Sequence, residues 1–292
     1  MFTGAFTALV TPLKKGMFDP EAHEKHIDFQ IEAGINGLVP CGTTGEASTL
    51  SHDEHVEVVR FTVAHVNGRV PVIAGSGSNS TSEALGLTRR VQAAGANACL
   101  MITPYYNKPT QEGLFRHFST IAEQVDIPII LYNVPGRTGV NMLPETVARL
   151  ARIPNIVGLK DATADLKQAS YTFQMVPEDF IILSGEDALV YPLMAIGGRG
   201  VISVVSNVAP GEMSGMCRRY LEGDIDGARA LHHQLLPLCD AMFTETNPIP
   251  VKGALAMMGR MSDEVRLPLV PLSEKASIRV REAITDFGLL ES

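Results

Sequence analysis

A chain of 292 residues, 45% of them hydrophobic, can bury one large core without disulfide staples. Its formal net charge of −8 argues against a nucleic-acid-binding surface. No apolar run reaches the roughly 18 residues of a membrane span, and the N-terminus lacks the basic and apolar regions of a signal peptide. A cytoplasmic protein without membrane or nucleic-acid partners is therefore expected.

In chain order, short apolar segments rich in β-formers recur at Thr7–Thr11, Gly37–Cys41, Pro71–Gly75, Ala98–Thr103, Pro128–Asn133, Ile156–Lys160, Phe180–Ser184 and Gly200–Val204. Helix-patterned stretches separate them, with matching start and stop signals. Asp19-Pro20 supplies an N-cap and a proline at the first helical position, and Gly34 ends that helix. Ser51 with Glu54 forms a capping box ahead of Val56, Val58 and Val59. Pro144 opens a helix through Leu150.

Uniformly apolar strands alternating with helices imply a parallel sheet covered by helices. Eight repeats predict an α/β fold, a closed (β/α)8 TIM barrel over residues 1–222. An open doubly wound sheet is the rival, but the first turn, Thr11-Pro12-Leu13, lacks a Gly-x-Gly-x-x-Gly fingerprint. From Gly223 to residue 292 a C-terminal helical region follows, broken by Asn247-Pro248-Ile249-Pro250. The cysteines, Cys41, Cys99, Cys217 and Cys239, have no C-x-x-C spacing and read as buried free thiols in a reducing cytosol.

Active sites of such barrels lie at the C-terminal ends of the strands. Those ends carry Gly42–Glu46, Thr103–Asn107, Tyr132–Thr138, Lys160-Asp161 and Ser184–Asp187, so polar and ionisable residues gather at one rim. Lys160 is the leading candidate. It ends the apolar strand Ile156-Val157-Gly158-Leu159 and is followed by Asp161-Ala162-Thr163. In solvent a lysine is protonated at neutral pH, whereas among apolar side chains it loses charge more easily and can form a Schiff base with a carbonyl. Lys252 competes as a nucleophile, but it follows Pro-Ile-Pro-Val at a helix start far from any strand end and reads as structural.

Other rim residues keep two readings each. Thr43 and Thr44 either bind an anion and pass a proton or cap the next helix. Tyr132 shuttles protons or is a core tyrosine. Arg137 grips a carboxylate or lies in solvent. Tyr105 and Tyr106 face inward and toward a neighbouring subunit, or plug the rim. His52 and His55 have the i,i+3 spacing of metal ligands, yet no third ligand is apparent and no metal is expected. The absence of a G-x-S-x-G elbow and of a Walker loop removes serine hydrolase and P-loop chemistry.

The Gly42–Glu46 turn, the Tyr132–Thr138 segment and the Gly158–Thr163 lysine strand, in that order, resemble the pyruvate-dependent class I aldolase superfamily. The likeness runs from Gly4 to Lys252. Within the superfamily, Tyr132-Asn133-Val134-Pro135-Gly136-Arg137-Thr138 and Thr103-Pro104-Tyr105-Tyr106-Asn107 are similar to the dihydrodipicolinate synthase family. N-acetylneuraminate lyases typically have no arginine at the position of Arg137, which weighs against the alternative of an aldolase or lyase for keto-sugar acids.

The resemblance implies a lyase of lysine (diaminopimelate) biosynthesis that condenses pyruvate with aspartate 4-semialdehyde and needs no cofactor. It implies that Lys160 condenses with pyruvate, and that Thr44 and the backbone at Ile202 hold that substrate. Tyr132, Thr43 and Tyr106 would form a proton relay, Tyr106 coming from the partner in a homo-oligomer built as a dimer of dimers. Arg137 would bind the aldehyde's carboxylate. It also implies a site for L-lysine as inhibitor at His52, His55, Asn79, Glu83 and Tyr105, although Ala47-Ser48 stands where inhibited relatives often read Ser-Ala. A catalytically silent barrel would not need this whole set.

Overall fold

A computed structural model describes residues 2–290. Eight parallel strands form the barrel: β1 (Gly4–Ala8), β2 (Gly37–Val39), β3 (Ile73–Gly75), β4 (Ala98–Ile102), β5 (Ile129–Asn133), β6 (Ile156–Asp161), β7 (Ile181–Ser184) and β8 (Gly200–Ser203). Hydrogen-bonded neighbours run from β2 through β1 and β8 down to β3. A parallel bridge between Leu38 and Val72 joins β2 to β3 and closes the ring. The architecture is the (β/α)8 barrel expected, followed by a helical C-terminal part.

Seven strands lie within two residues of their expected bounds, and the first does not. It starts at Gly4, because Gly4 pairs with Gly200 and Thr7 with Ser203. It stops at Ala8, because the chain then leaves the ladder: Val10 N–H bonds the Asn207 side chain and the Thr11 hydroxyl bonds the Gly45 carbonyl. Beyond it lies a hairpin the periodicity did not reveal, Leu13–Lys14 against Met17–Phe18. Its two loop residues, Lys15 and Gly16, both have positive φ, the twist a two-residue hairpin requires.

Local capping chemistry explains the helix starts. Asp19 accepts from Ala22 N–H with Pro20 in the first turn, and Ser51 and Glu54 complete a reciprocal capping box. Thr110 and Asp165 cap Gln111–Ala122 and Leu166–Met175 in the same manner. All four cysteines are buried free thiols. No helix among the described residues is long and apolar enough to cross a membrane.

Strand alternation sorts side chains into two shells. Phe6, Ala8, Val39, Ile73, Leu100, Ile130, Leu183 and Ile202 fill the barrel interior, while Leu131, Leu159 and Ile182 pack outward against helices. The C-terminal helices Ile225–Ala241, Ile249–Met257 and Glu274–Asp286 share one continuous core with the barrel, in which Leu235, Val251 and Val280 meet Ala5, Leu9 and Val10.

Lys252 corrects one expectation. It is not far from the strand ends: its ammonium, fully buried, donates to Glu46 Oε1 at 2.5 Å and to the Thr11 carbonyl at 3.0 Å. Glu46 also accepts from Arg266 N–H. Breaking a buried pair of this kind typically costs about 3–5 kcal/mol, because the survivor's charge is left unpaired. The C-terminal part is thereby clamped to the turn after β2, the turn that carries Thr43 and Thr44.

Candidate active site

The parallel register of β5 and β6 sets Tyr132 opposite Lys160 and Asn133 opposite Asp161. Partners in register point to the same face. Asn133 and Asp161 turn outward, where Asn133 bonds the Met142 backbone and Asp161 accepts from Thr163 N–H. Tyr132 and Lys160 therefore turn inward, and the Lys160 Nζ lies 4.2 Å from the centroid of the Tyr132 ring. Lys160 is only 6% exposed. Among the described residues no carboxylate forms a salt bridge with it.

Around the amine lies a cavity of about 210 Å³ at the C-terminal mouth of the barrel. Thr43, Thr44, Tyr132, Arg137 and Lys160 all line it, together with Gly185, Glu186 and Asn247. Sequence separation is no guide here, since these residues come from four different strand ends and from the C-terminal part. Neither threonine caps the helix His52–Val66, whose N-cap is Ser51. Their turn is tight enough that a Cβ on Gly45 would lie 2.8 Å from the Cys41 nitrogen.

Arg137 sits on the single turn Pro135–Thr138, and no acidic group pairs with it among the described residues. Its guanidinium reaches only the Asn247 carbonyl, at 3.5 Å. Burial, and then the neighbouring Asp187, push the Glu186 carboxyl above the usual carboxylate range, an effect that the charge of Lys160 opposes. The cavity thus offers one lysine amine, one uncommitted guanidinium, a phenol and two hydroxyls.

Ile202, Tyr106 and His55 are not among the residues that line the cavity. Ile202 fills the barrel interior beneath the cavity, and Val204 forms the wall on that side. Tyr106 does not line its own chain's cavity; it is 89% exposed with φ +72. His55 is buried, with Nε2 against the Gly75 carbonyl at 2.7 Å and with His52 near enough to help lower its pKa after burial; its companions in the expected lysine site are His52, Asn79, Glu83 and Tyr105. Those four do gather: His52 lies 3.1 Å from Glu83, which Ser78 also contacts, and Asn79 donates to the Tyr105 carbonyl.

The sequence comparison is decisive. A family model, the Dihydrodipicolinate synthetase family, matches residues 1–287. The chain belongs to the dihydrodipicolinate synthetase family. A curated 4-hydroxy-tetrahydrodipicolinate synthase from Oleidesulfovibrio alaskensis is 58% identical over 99% of both chains. The chloride-inhibited dihydrodipicolinate synthase of Acinetobacter baumannii, solved with pyruvate, is 46% identical with a TM-score of 0.97 over 99% of this chain and 100% of that one. The enzyme of Cyanidioschyzon merolae, solved with lysine bound, is 40% identical with a TM-score of 0.96 over 99% of each chain.

Sequence reasoning gave no role to four of the cavity residues of this family member: Gly185, Glu186, Phe243 and Asn247. Gly185 and Glu186 were visible only as part of a polar strand end, and Asn247 only as a helix break before Pro248. Gly185 has a definite steric role. A Cβ there would lie 2.7 Å from the Ala162 Cβ and 3.0 Å from the Lys160 Cε. Gly185→Ala should push the Lys160 side chain from its place and slow borohydride trapping of a bound keto acid on the order of a hundredfold, as a displacement of about 1 Å can. Trapping at the wild-type rate in the folded variant would show that the lysine tolerates the methyl.

Proposed function

We propose that Lys160 is the Schiff-base nucleophile of a lyase that condenses pyruvate with aspartate 4-semialdehyde to 4-hydroxy-tetrahydrodipicolinate. One observation carries the reading: a buried lysine without a carboxylate partner and an arginine without an acidic partner share one small cavity. The lysine suits a keto carbon, and the guanidinium suits a carboxylate on the second substrate. In this scheme the Lys160 amine adds to the keto carbon of pyruvate and water leaves. The iminium loses a proton from the methyl group and becomes an enamine, whose carbon attacks the aldehyde. The substrate's own amine then adds to the iminium carbon and displaces Lys160 as the ring closes.

Tyr132, against the lysine, is suited to pass protons in these steps, with Thr43 beside it. Thr44 and the backbone at Ile202 are assigned to pyruvate. Tyr106 is assigned to the relay of a partner subunit, which requires a homo-oligomer; a dimer of dimers in the cytoplasm is our reading. The exposed position of Tyr106 in a single chain supports that assignment. The rival, an aldolase for keto-sugar acids, is disfavoured by Arg137, because a neutral sugar aldehyde offers it no carboxylate.

Three experiments test the scheme. Borohydride with pyruvate should inactivate the enzyme and label Lys160, and Arg137→Ala should keep that trapping while losing about ten- to a hundredfold in use of the aldehyde. A label on Lys252, or equal damage to trapping and turnover, would overturn these roles. Mixing inactive Tyr106→Phe with inactive Lys160→Ala protein should restore part of the activity, since some heterodimer sites hold both native residues; proven subunit exchange with no recovery would refute a shared site. We also assign L-lysine inhibition to the site of His52, His55, Asn79, Glu83 and Tyr105, with Glu83 facing the ligand's ammonium. Calorimetry should find lysine binding to the wild type and none to Glu83→Ala, and an unchanged Glu83→Ala isotherm would dispose of the site.

A further inference from the structure

We infer that Asn247 is a positioning residue for Thr44, fixing which way the threonine hydroxyl donates. The inference rests on the proposed role of Thr44 in holding pyruvate and extends it to a residue of the C-terminal part. Asn247 Nδ2 donates to Thr44 Oγ1 at 3.0 Å across 203 positions of sequence. A threonine hydroxyl has one hydrogen to give and two lone pairs to accept with. Here the amide occupies a lone pair, and Thr44 Oγ1 has no other hydrogen-bond partner among the described residues. Its own hydrogen is therefore left to donate. Thr44 is buried and lines the cavity, so an anion entering there is the partner this arrangement prepares for.

Two further observations favour a role beyond packing. Asn247 is 5% exposed, and its Oδ1 is buried with no partner among the described residues. A buried amide that leaves its acceptor unmet is a poor choice for stability alone, and an apolar side chain of the same shape would fill the space at less cost. The segment is also held at a second point. Lys252, five residues on, bonds Glu46, which is two residues past Thr44 in the same turn. The two ties, Asn247 to Thr44 and Lys252 to Glu46, fix one end of the C-terminal part against one turn of the barrel rim. The Asn247 carbonyl meets Arg137 as well, so both proposed anion contacts adjoin this residue.

A double-mutant cycle on the full-length enzyme tests the inference, with KM for pyruvate read separately from kcat. Asn247→Leu, close in shape, should raise KM for pyruvate about tenfold, the lower end of what one hydrogen bond to a charged group is worth. Thr44→Val should raise it at least as much. In the double variant Asn247→Leu should add nothing to Thr44→Val, because its effect runs through the hydroxyl. In a Thr44→Ser background, which keeps the hydroxyl, Asn247→Leu should cost what it costs in the wild type. If the two single effects multiply in the double variant, or if Asn247→Leu leaves KM unchanged, Asn247 does not act through Thr44. Should Asn247→Leu fail to fold, Asn247→Ala in the same cycle carries the test. A wild-type protein that borohydride and pyruvate cannot trap would refute the proposed function itself, whereas normal trapping with multiplying effects would refute only this inference.

Discussion

The constraint on which the site depends is the parallel register between β5 and β6. Because Tyr132 pairs with Lys160, the phenol and the amine must emerge on the same face of the sheet, in the same layer. A slip of one residue would exchange them for Asn133 and Asp161 and send the phenol and the amine into the helical shell. Barrel closure makes that slip costly. Every strand pairs on both edges once the Leu38–Val72 bridge is counted, so no register can shift without disturbing its neighbours. The fold thus supplies preorganisation: a ring placed against an amine by backbone hydrogen bonds, with no mobile loop between them.

What could be read from the sequence follows from the range of the interaction concerned. Strand ends, the Asp19-Pro20 start and the Ser51–Glu54 box depend on residues within one turn of each other, and they were legible. So was the gathering of Thr43, Thr44, Tyr132, Arg137 and Lys160, because a barrel collects its strand ends at one rim. The start of β1 was not legible, since it is set by pairing with Gly200 at the far end of the barrel. Nor was Asn247, whose partner is 203 positions away. His52 and His55, one helical turn apart, take different partners, Glu83 for the one and the Gly75 carbonyl for the other, and neither partner could be read from the local sequence.

The two lysines weighed as nucleophiles show how surroundings assign opposite tasks to one functional group. Lys252 is fully buried and saturated, with a carboxylate at 2.5 Å and a carbonyl at 3.0 Å. Burial draws its pKa down, while Glu46 works against that shift and favours the ammonium. An ammonium so held has no lone pair to offer and no space beside it for a carbonyl carbon. Lys160 is nearly as buried, but its neighbour is the face of an aromatic ring and its remaining side opens on a cavity. A ring face holds the amine in place without occupying it with a hydrogen-bond acceptor. Burial alone therefore does not mark a nucleophilic lysine; what separates the two is that Lys160 forms no salt bridge among the described residues and has adjoining space. That criterion supports the proposal that the chemistry runs through Lys160, while the charge of Lys252 holds the C-terminal part against the turn on which Thr44 is carried.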